Sequence, residues 1–189
     1  MGKSRLDRDA VIRKAAELAN ETGSDNISLK ELAGALGVRS PSLYNHVDGL
    51  EDVKRSLMLY GWSQLEQRLL RAAAGYSGYD AFRSMCREFF SFSRENPGLF
   101  NAMLWYNKYS GADAMQATAG FFTYFYRFTE SVNISRDNAE HILRTLRGFL
   151  EGFSLLVNNG SFGHSADITE SFELSLDILI AGIKTLEGK

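Results

Sequence analysis

Residues 28–47 constrain the fold more than any other stretch, because they have the pattern of two short helices joined by a tight turn. Ser28 followed three residues later by Glu31 is a capping box, which marks the start of the first helix. Gly37 can take the left-handed backbone conformation that ends a helix. The first helix carries an apolar stripe at helical spacing, formed by Leu29, Leu32, Ala33 and Leu36.

The second short helix is predicted to have Ser40 as its N-cap and Pro41 at its first position, where the missing N–H of proline is no loss. Leu43 and Val47 are predicted to pack against the apolar stripe. Polar side chains then remain at or near the outer surface: Arg39, Ser42, Tyr44, Asn45 and His46. Such a helix is typical of proteins that read the DNA major groove. The alternative is a helical hairpin with a solvated polar face.

This stretch resembles the DNA-binding end of the tetracycline-repressor family of transcriptional regulators. The similarity lies in the first helix, the Gly37-Val38 turn and the run PSLYNHV at 41–47, of which Leu-Tyr-x-His-Val is the most specific piece. The resemblance implies a small all-helical dimer that binds a palindromic double-stranded DNA operator. It also implies that the dimer releases the operator when a small molecule occupies the larger C-terminal domain.

The turn after Val47 departs from the family pattern. Family members commonly carry a lysine there that meets a DNA phosphate, whereas this chain has Asp-Gly-Leu-Glu at 48–51. An acidic group close to a phosphate weakens binding. Lys54 or Arg55, one helical turn further on, could take over the contact. Both side chains could equally belong to a solvated helix surface.

The chain as a whole is predicted to be all-α, because only two prolines interrupt its 189 residues and no stretch alternates in the manner of a strand. We predict a three-helix helix-turn-helix DNA-binding domain at 1–50, joined to a C-terminal helical bundle at 51–189 for ligand binding and dimerisation. About nine helices are expected in total. Outside the two short helices, the predicted bounds are 7–22, 51–74, 79–95, 99–106, 113–131, 136–158 and 167–186.

Charge is unevenly distributed along the chain. The formal net charge of −2 argues against a protein coated with basic residues, but residues 1–14 hold five basic and two acidic side chains. A basic arm of this kind suits phosphate contacts. The basic side chains are Lys3, Arg5, Arg8, Arg13 and Lys14. A charged tail that favours solubility is the alternative.

The single cysteine, Cys86, excludes an intramolecular disulfide and favours a reducing compartment. No apolar run reaches the length of a membrane span, and the N-terminus lacks the apolar core of a secretory signal. We therefore expect a cytoplasmic protein that does not interact with a membrane.

Residues that carry catalysis are not recognisable in the sequence. The three histidines, His46, His141 and His164, are far apart, and no HExxH, CxxC, GxGxxG or Walker-type pattern occurs. Cys86 lies among phenylalanines and is expected to be a small buried side chain rather than a nucleophile. We expect neither an enzyme nor a cofactor or metal site.

Large rings from several predicted helices suggest a ligand pocket in the C-terminal part. A plain core position is the simpler interpretation for any one ring. An apolar or aromatic effector would suit a pocket lined by Trp62, Met85, Phe89, Met103, Trp105, Phe122 and Tyr126. Arg144 or Arg147 could meet a carboxylate on the effector.

The last two predicted helices resemble a dimer surface. Gly148 and Gly152 lie four residues apart, which bares a strip of backbone for close helix contact. The final helix is apolar on more than one side, so a second copy of the chain could cover it. An amphipathic helix folded onto its own core is the alternative.

These observations predict a homodimeric transcriptional regulator, most simply a repressor. Contacts with the edges of bases are predicted, from donor and acceptor geometry, for Lys30, Arg39, Ser42 and Asn45. Phosphate contacts, which fix the register, are assigned to Ser28, Ser40, Tyr44 and His46, and Pro41 completes the nine predicted DNA-binding residues. A helical adaptor or small-molecule carrier that does not bind DNA is the alternative function.

Overall fold

The computed structural model describes residues 6–109 and 111–189, apart from the side chains at 107, 113 and 114. Lys3 and Arg5 of the predicted basic arm lie outside the described residues. The described chain is all-α, as the sequence predicts, and contains no strand. Its α-helices are α1 (Arg8–Thr22), α2 (Leu29–Ala35), α3 (Ser40–Leu43), α4 (Leu50–Ala73), α5 (Gly78–Glu95), α6 (Pro97–Met103), α7 (Ala112–Ser131), α8 (Arg136–Asn158) and α9 (Ile168–Lys184).

Side-chain caps mark the starts of three long helices. The Asp7 carboxylate accepts a hydrogen bond from the Ala10 N–H at 2.7 Å, ahead of α1. Asp167 accepts from the Glu170 N–H at 2.9 Å ahead of α9, and the Ser135 hydroxyl caps α8. These caps satisfy backbone donors that have no partner inside the helix. The predicted start of α8 after Ser135 is therefore confirmed.

Two predicted helix starts are wrong, and the starts of α1, α4, α5, α7 and α9 each differ from the predicted residue by one. Ser40 is not the N-cap of α3: it is the first helical residue, and the extended residue Arg39 occupies the cap without a side-chain hydrogen bond. Helix α6 starts at Pro97 rather than at residue 99, because proline fits the first turn of a helix as well as it stops the preceding one. A short 3-10 turn, Leu104–Asn107, continues α6.

The chain divides into two compact units. The first takes in the chain up to Gln64 together with Asn96–Ala117, and the second comprises Leu65–Glu95 and Thr118–Lys189. Helices α4 and α7 each contribute residues to both units. The functional division at residues 50 and 51 stays a prediction.

In the first unit, α6 packs closely on α1. The Asn20 side chain accepts a hydrogen bond from the Leu99 N–H at 2.9 Å and donates to Asn96 at 3.2 Å. On α4, the Trp62 indole N–H donates to the Met103 carbonyl oxygen at 3.1 Å. The end of α6 is therefore fixed to α4 and its start to α1.

In the second unit, α9 is attached to α5 by both rings and charges. The rings of Phe90 and Phe172 stack with their centroids 4.3 Å apart. Arg87 and Glu173 form a two-point ion pair at 2.7 Å, and Arg83 donates to Asp177 at 2.5 Å. These contacts leave the opposite side of α9 facing outward.

None of the helices in the described ranges is long and apolar enough to cross a membrane.

Candidate nucleic-acid interface

Helix α2 begins with the predicted capping pair. The Ser28 hydroxyl oxygen accepts a hydrogen bond from the Glu31 N–H at 3.2 Å, and the hydroxyl donates to a Glu31 carboxylate oxygen at 2.7 Å. Leu32 and Ala33 are buried as predicted, whereas Leu29 and Leu36 are half-buried. The inner face of α2 is therefore centred on its middle turn.

The tight turn after α2 depends on Gly37. Its φ of +66° lies in the left-handed region, where a Cβ atom is unfavourable. No atom lies within 4 Å of where a Cβ would stand, so the requirement for glycine is conformational rather than steric. The Val38 N–H then donates to the Ala33 carbonyl at 3.0 Å, which closes the helix end.

Helix α3 is short but is firmly packed from behind. Leu43 is fully buried and Val47 nearly so, as their spacing predicts. Beyond Leu43 the helical path continues as a tighter turn, in which the His46 N–H donates to the Leu43 carbonyl at 2.8 Å. The aliphatic side chains fix one side of this segment and leave the other side outward.

Five of the predicted DNA-binding residues have exposed side chains, and we call them the reading face: Lys30, Arg39, Pro41, Tyr44 and Asn45. Tyr44 is 61% exposed, unusually high for a large ring. The remaining predicted DNA-binding residues are half-buried beside it: Ser28, Ser40, Ser42 and His46. All nine predicted residues lie on one compact module, but their individual roles stay predictions.

Part of the predicted basic arm is neutralised. Arg8 forms an ion pair with Asp52 at 2.6 Å, and Lys14 pairs with Glu17. The hydrogen bond from Arg8 holds the pKa of the Asp52 carboxyl below its usual range. Two of the five basic side chains counted in the sequence are therefore paired with carboxylates, so the arm presents less positive charge to a DNA phosphate than the count suggests.

The two candidates for the missing lysine contact differ in their surroundings. The Lys54 side chain is only 18% exposed, with its ammonium 4.0 Å from Glu51 and 5.8 Å from the centre of the Trp105 ring. Arg55 is exposed. Glu51 also accepts a hydrogen bond from the Tyr109 hydroxyl at 3.0 Å, and burial together with this bond raises the pKa of Tyr109 to about 12. Arg55 is therefore the more exposed of the two side chains, and which of them meets a phosphate stays a prediction.

A family model described as tetracyclin repressor-like, C-terminal domain, matches residues 82–179, just over half of the chain. The chain belongs to the tetracycline-repressor family of transcriptional regulators. The helix-turn-helix geometry at 28–47 and the matched C-terminal part lie in different regions of the sequence, so they support the assignment independently.

Relatives of this tetracycline-repressor-family chain match it over most of its length or over a shorter part of it. The uncharacterized HTH-type transcriptional regulator YobS of Bacillus subtilis (strain 168) is 29% identical over 180 residues, which cover 94% of this chain and 93% of YobS. The tetracycline repressor protein class D of Escherichia coli is 46% identical over 55 residues, covering 29% and 23% of the two chains. A variant of TetR from Acinetobacter baumannii AYE in complex with minocycline has the same fold, with a TM-score of 0.72, 20% identity and coverage of 98% and 100%.

In this tetracycline-repressor-family chain the predicted ligand residues divide between the two units. Trp62, Met103 and Trp105 belong to the first unit. Met85 and Phe89 line an apolar cavity inside the second unit. Their assignment to an effector site stays a prediction.

The other predicted ligand residues are placed elsewhere in the second unit. Phe122 lies beside the guanidinium of Arg147, which is also paired with Glu151 at 2.8 Å. The Tyr126 hydroxyl donates to Glu140 at 2.6 Å, and Arg144 is exposed. None of these four side chains lines the apolar cavity.

The cavity itself is small and almost wholly apolar. Its volume is about 20 Å³, little more than one water molecule needs. Its walls are Leu69, Phe82, Met85, Cys86, Phe89, Phe121, Tyr124, Phe125, Phe128, Leu146 and Leu150. Three wall residues on α7 are not among the predicted ligand residues, namely the phenylalanines at 121, 125 and 128. Their helical spacing is the sequence signal that places them on one side of α7.

Proposed function

We propose that this chain is a homodimeric repressor that binds a palindromic DNA operator through its two reading faces. In this proposal a small apolar molecule releases the operator by binding within the second unit. One observation carries the proposal: Arg39 and Tyr44 point outward while Leu43 and Val47 hold the same segment from behind. Membership of a family of transcriptional regulators supports the same function, and we propose with it that the chain acts in the cytoplasm and is not an enzyme.

The chemistry of the reading face suits a base-edge contact. A guanidinium such as that of Arg39 can pair with guanine, and an amide such as that of Asn45 can pair with adenine. Lys30 and the half-buried Ser42 complete the set assigned to bases. Tyr44, with the half-buried Ser28, Ser40 and His46, supplies groups for phosphates, which position the module without reading sequence.

The proposed dimer forms through α8 and α9. Helix α9 buries one apolar side in its own unit, through Phe172, Leu176, Ile180 and Ile183. Leu174 and Ile178 on the same helix are 62% and 66% exposed, so an apolar strip remains uncovered. The exposed Leu156 and the unobstructed Gly148 and Gly152 of α8 add to this surface. A second copy is the proposed cover, since two reading faces on one duplex give the discrimination that one cannot.

The proposed effector is uncharged and apolar or aromatic. The cavity walls offer almost no polar surface, and a buried charge there would have no partner. At about 20 Å³ the cavity cannot admit a drug-sized molecule without separation of its helices, so effector binding must favour a different conformation. A ligand that prefers this conformation lowers the population able to bind the operator. The minocycline complex of the A. baumannii protein gives a precedent for a small-molecule ligand on this fold.

Gel retardation of DNA flanking the protein's own gene tests the proposal. We expect a specific shift that withstands competitor DNA and weakens steeply as the salt concentration rises, because bound phosphates release counterions. An adaptor or carrier protein would give no shift with any duplex. A shift with no dependence on salt would also count against a DNA-reading module.

A further inference from the structure

A single arginine side chain joins three parts of the first unit. Arg8, the first residue of α1, donates from Nη1 to the His46 carbonyl oxygen at 2.9 Å and to Asp52 Oδ2 at 2.8 Å. From Nη2 it donates to Asp52 Oδ1 at 2.6 Å and to the Ser56 hydroxyl oxygen at 2.7 Å. The guanidinium therefore connects α1, the end of the segment that carries Tyr44 and Asn45, and the start of α4.

These contacts use every hydrogen on the terminal nitrogens of Arg8. Each of the two Nη atoms carries two hydrogens, and the four acceptors named above take all four. The side chain is 47% exposed, which taken alone would suggest a phosphate contact. A phosphate could bind the terminal nitrogens only by displacing contacts that are already made.

Asp52 holds the middle of the turn that follows His46. Its carboxylate is 20% exposed and also accepts a hydrogen bond from the Asp48 N–H at 2.9 Å. The turn between α3 and α4 begins at the His46 carbonyl and passes through Gly49, whose φ is +92°. Arg8 binds the first end of the turn, and Asp52 binds its middle. The ion pair thus fixes the path of the chain directly after the reading face.

We propose that Arg8 and Asp52 are positioning residues for operator binding: together they fix the reading face on α1 and α4 without touching DNA. The inference rests on the proposed DNA-binding function. The turn at 48–51 is then held from within the protein, through the Asp48 N–H.

Operator titrations with a selected duplex, at several salt concentrations, test this inference. Arg8→Gln and Asp52→Asn should each weaken binding about tenfold, because both half-sites of the dimer lose the pair. The double variant should be little worse than either single variant, since the two residues act as one unit. The slope of log K against log salt should stay that of the wild type. Arg71→Gln, which removes the same charge from an exposed position near the end of α4, is the matched control and should leave binding unchanged.

A direct phosphate contact by Arg8 would give a different pattern. Arg8→Gln would then lower the salt slope by about one for each half-site, and Asp52→Asn would leave binding unchanged or tighter. Arg8→Lys separates geometry from charge, because an ammonium cannot make the forked contact. Full operator affinity in Arg8→Lys would overturn the inference, and a loss close to that of Arg8→Gln would support it.

Amide hydrogen exchange at Asp48, measured without DNA, keeps the inference separate from the proposed function. Faster exchange in both Arg8→Gln and Asp52→Asn than in the wild type supports the role of the pair in holding the turn. Unchanged exchange in both variants overturns that role. A wild-type chain that binds no duplex refutes the proposed function, whereas wild-type affinity in both folded variants refutes only the positioning role.

Discussion

Gly98 in α6 lies directly against the backbone carbonyl of Ala19 in α1. A Cβ atom on Gly98 would stand 1.8 Å from that carbonyl oxygen. Because the obstructing atoms are backbone, no side-chain rotation could relieve the clash. The missing side chain is therefore what allows the start of α6 to pack on the end of α1.

Gly98→Ala is expected to lower the free energy of unfolding by about 3 kcal/mol, since the added methyl must displace one helix from the other. Gly34→Ala is the matched control, because Gly34 lies in α2 with open space around it. The control should raise stability by about 0.5–1 kcal/mol through helix propensity. Urea denaturation of both variants measures the difference, and equal effects would contradict the close packing of α1 and α6.

Ile178→Lys is expected to convert the proposed dimer into monomers, because it places a charge at the centre of the uncovered side of α9. The dissociation constant of the dimer should rise on the order of a hundredfold, because an unpaired charge buried at an interface is destabilising. Tyr76→Lys, at an equally exposed ring outside α8 and α9, should leave the dimer intact. Sedimentation equilibrium measures both, and an unaltered dimer in Ile178→Lys would place the interface elsewhere.

Cys86 reports on the closure of the apolar cavity. Burial raises the pKa of its thiol well above the ordinary range, so the reactive thiolate is scarce near neutral pH. We expect the native chain to react with a disulfide reagent at about pH 8 at least a hundredfold more slowly than the chain unfolded in guanidinium chloride. Rapid reaction of the native thiol would show that the cavity opens readily without an effector.

Asp52 is expected to make the stability of the fold decrease at acidic pH. The Arg8 hydrogen bond lowers the pKa of the carboxyl in the folded state. The pair therefore stabilises the fold above the unfolded pKa of about 3.9, and this stabilisation is lost as the pH falls through the folded value. Below about pH 4 the free energy of unfolding should fall more steeply for the wild type than for Asp52→Asn. Urea denaturation measures this free energy. An equally steep fall in the wild type and in Asp52→Asn would contradict the pairing.

Local pattern predicted the parts of the site that depend on neighbours in sequence. The buried Leu43 and Val47 follow from helical spacing, and Gly37 follows from the need for a left-handed turn. The cap of α3 was mispredicted as Ser40, because a serine before a proline satisfies the cap rule whether or not the helix begins one residue earlier. Such errors of one residue do not change which side of α3 faces outward.

Contacts between distant residues were beyond the reach of sequence pattern. Arg8 and Asp52 are 44 positions apart, and nothing in their spacing indicates that they meet. The hydrogen bond from Trp62 to the Met103 carbonyl, which joins α4 to α6 in the first unit, likewise links residues 41 positions apart. Phe125 and Phe128 belong to the cavity through the packing of α5, α7 and α8, which hydropathy does not specify. The sequence therefore predicts which side of a helix is buried more reliably than it predicts which residues pack against that side.

The affinity of the reading-face variants for a selected operator tests the account most directly. Arg39→Ala and Tyr44→Ala should each weaken binding by at least about tenfold, with the dimer and the thermal unfolding temperature unchanged. Arg39→Ala should in addition relax the base preference at one position of each half-site. Wild-type affinity in both folded, dimeric variants would contradict the claim that this face reads DNA.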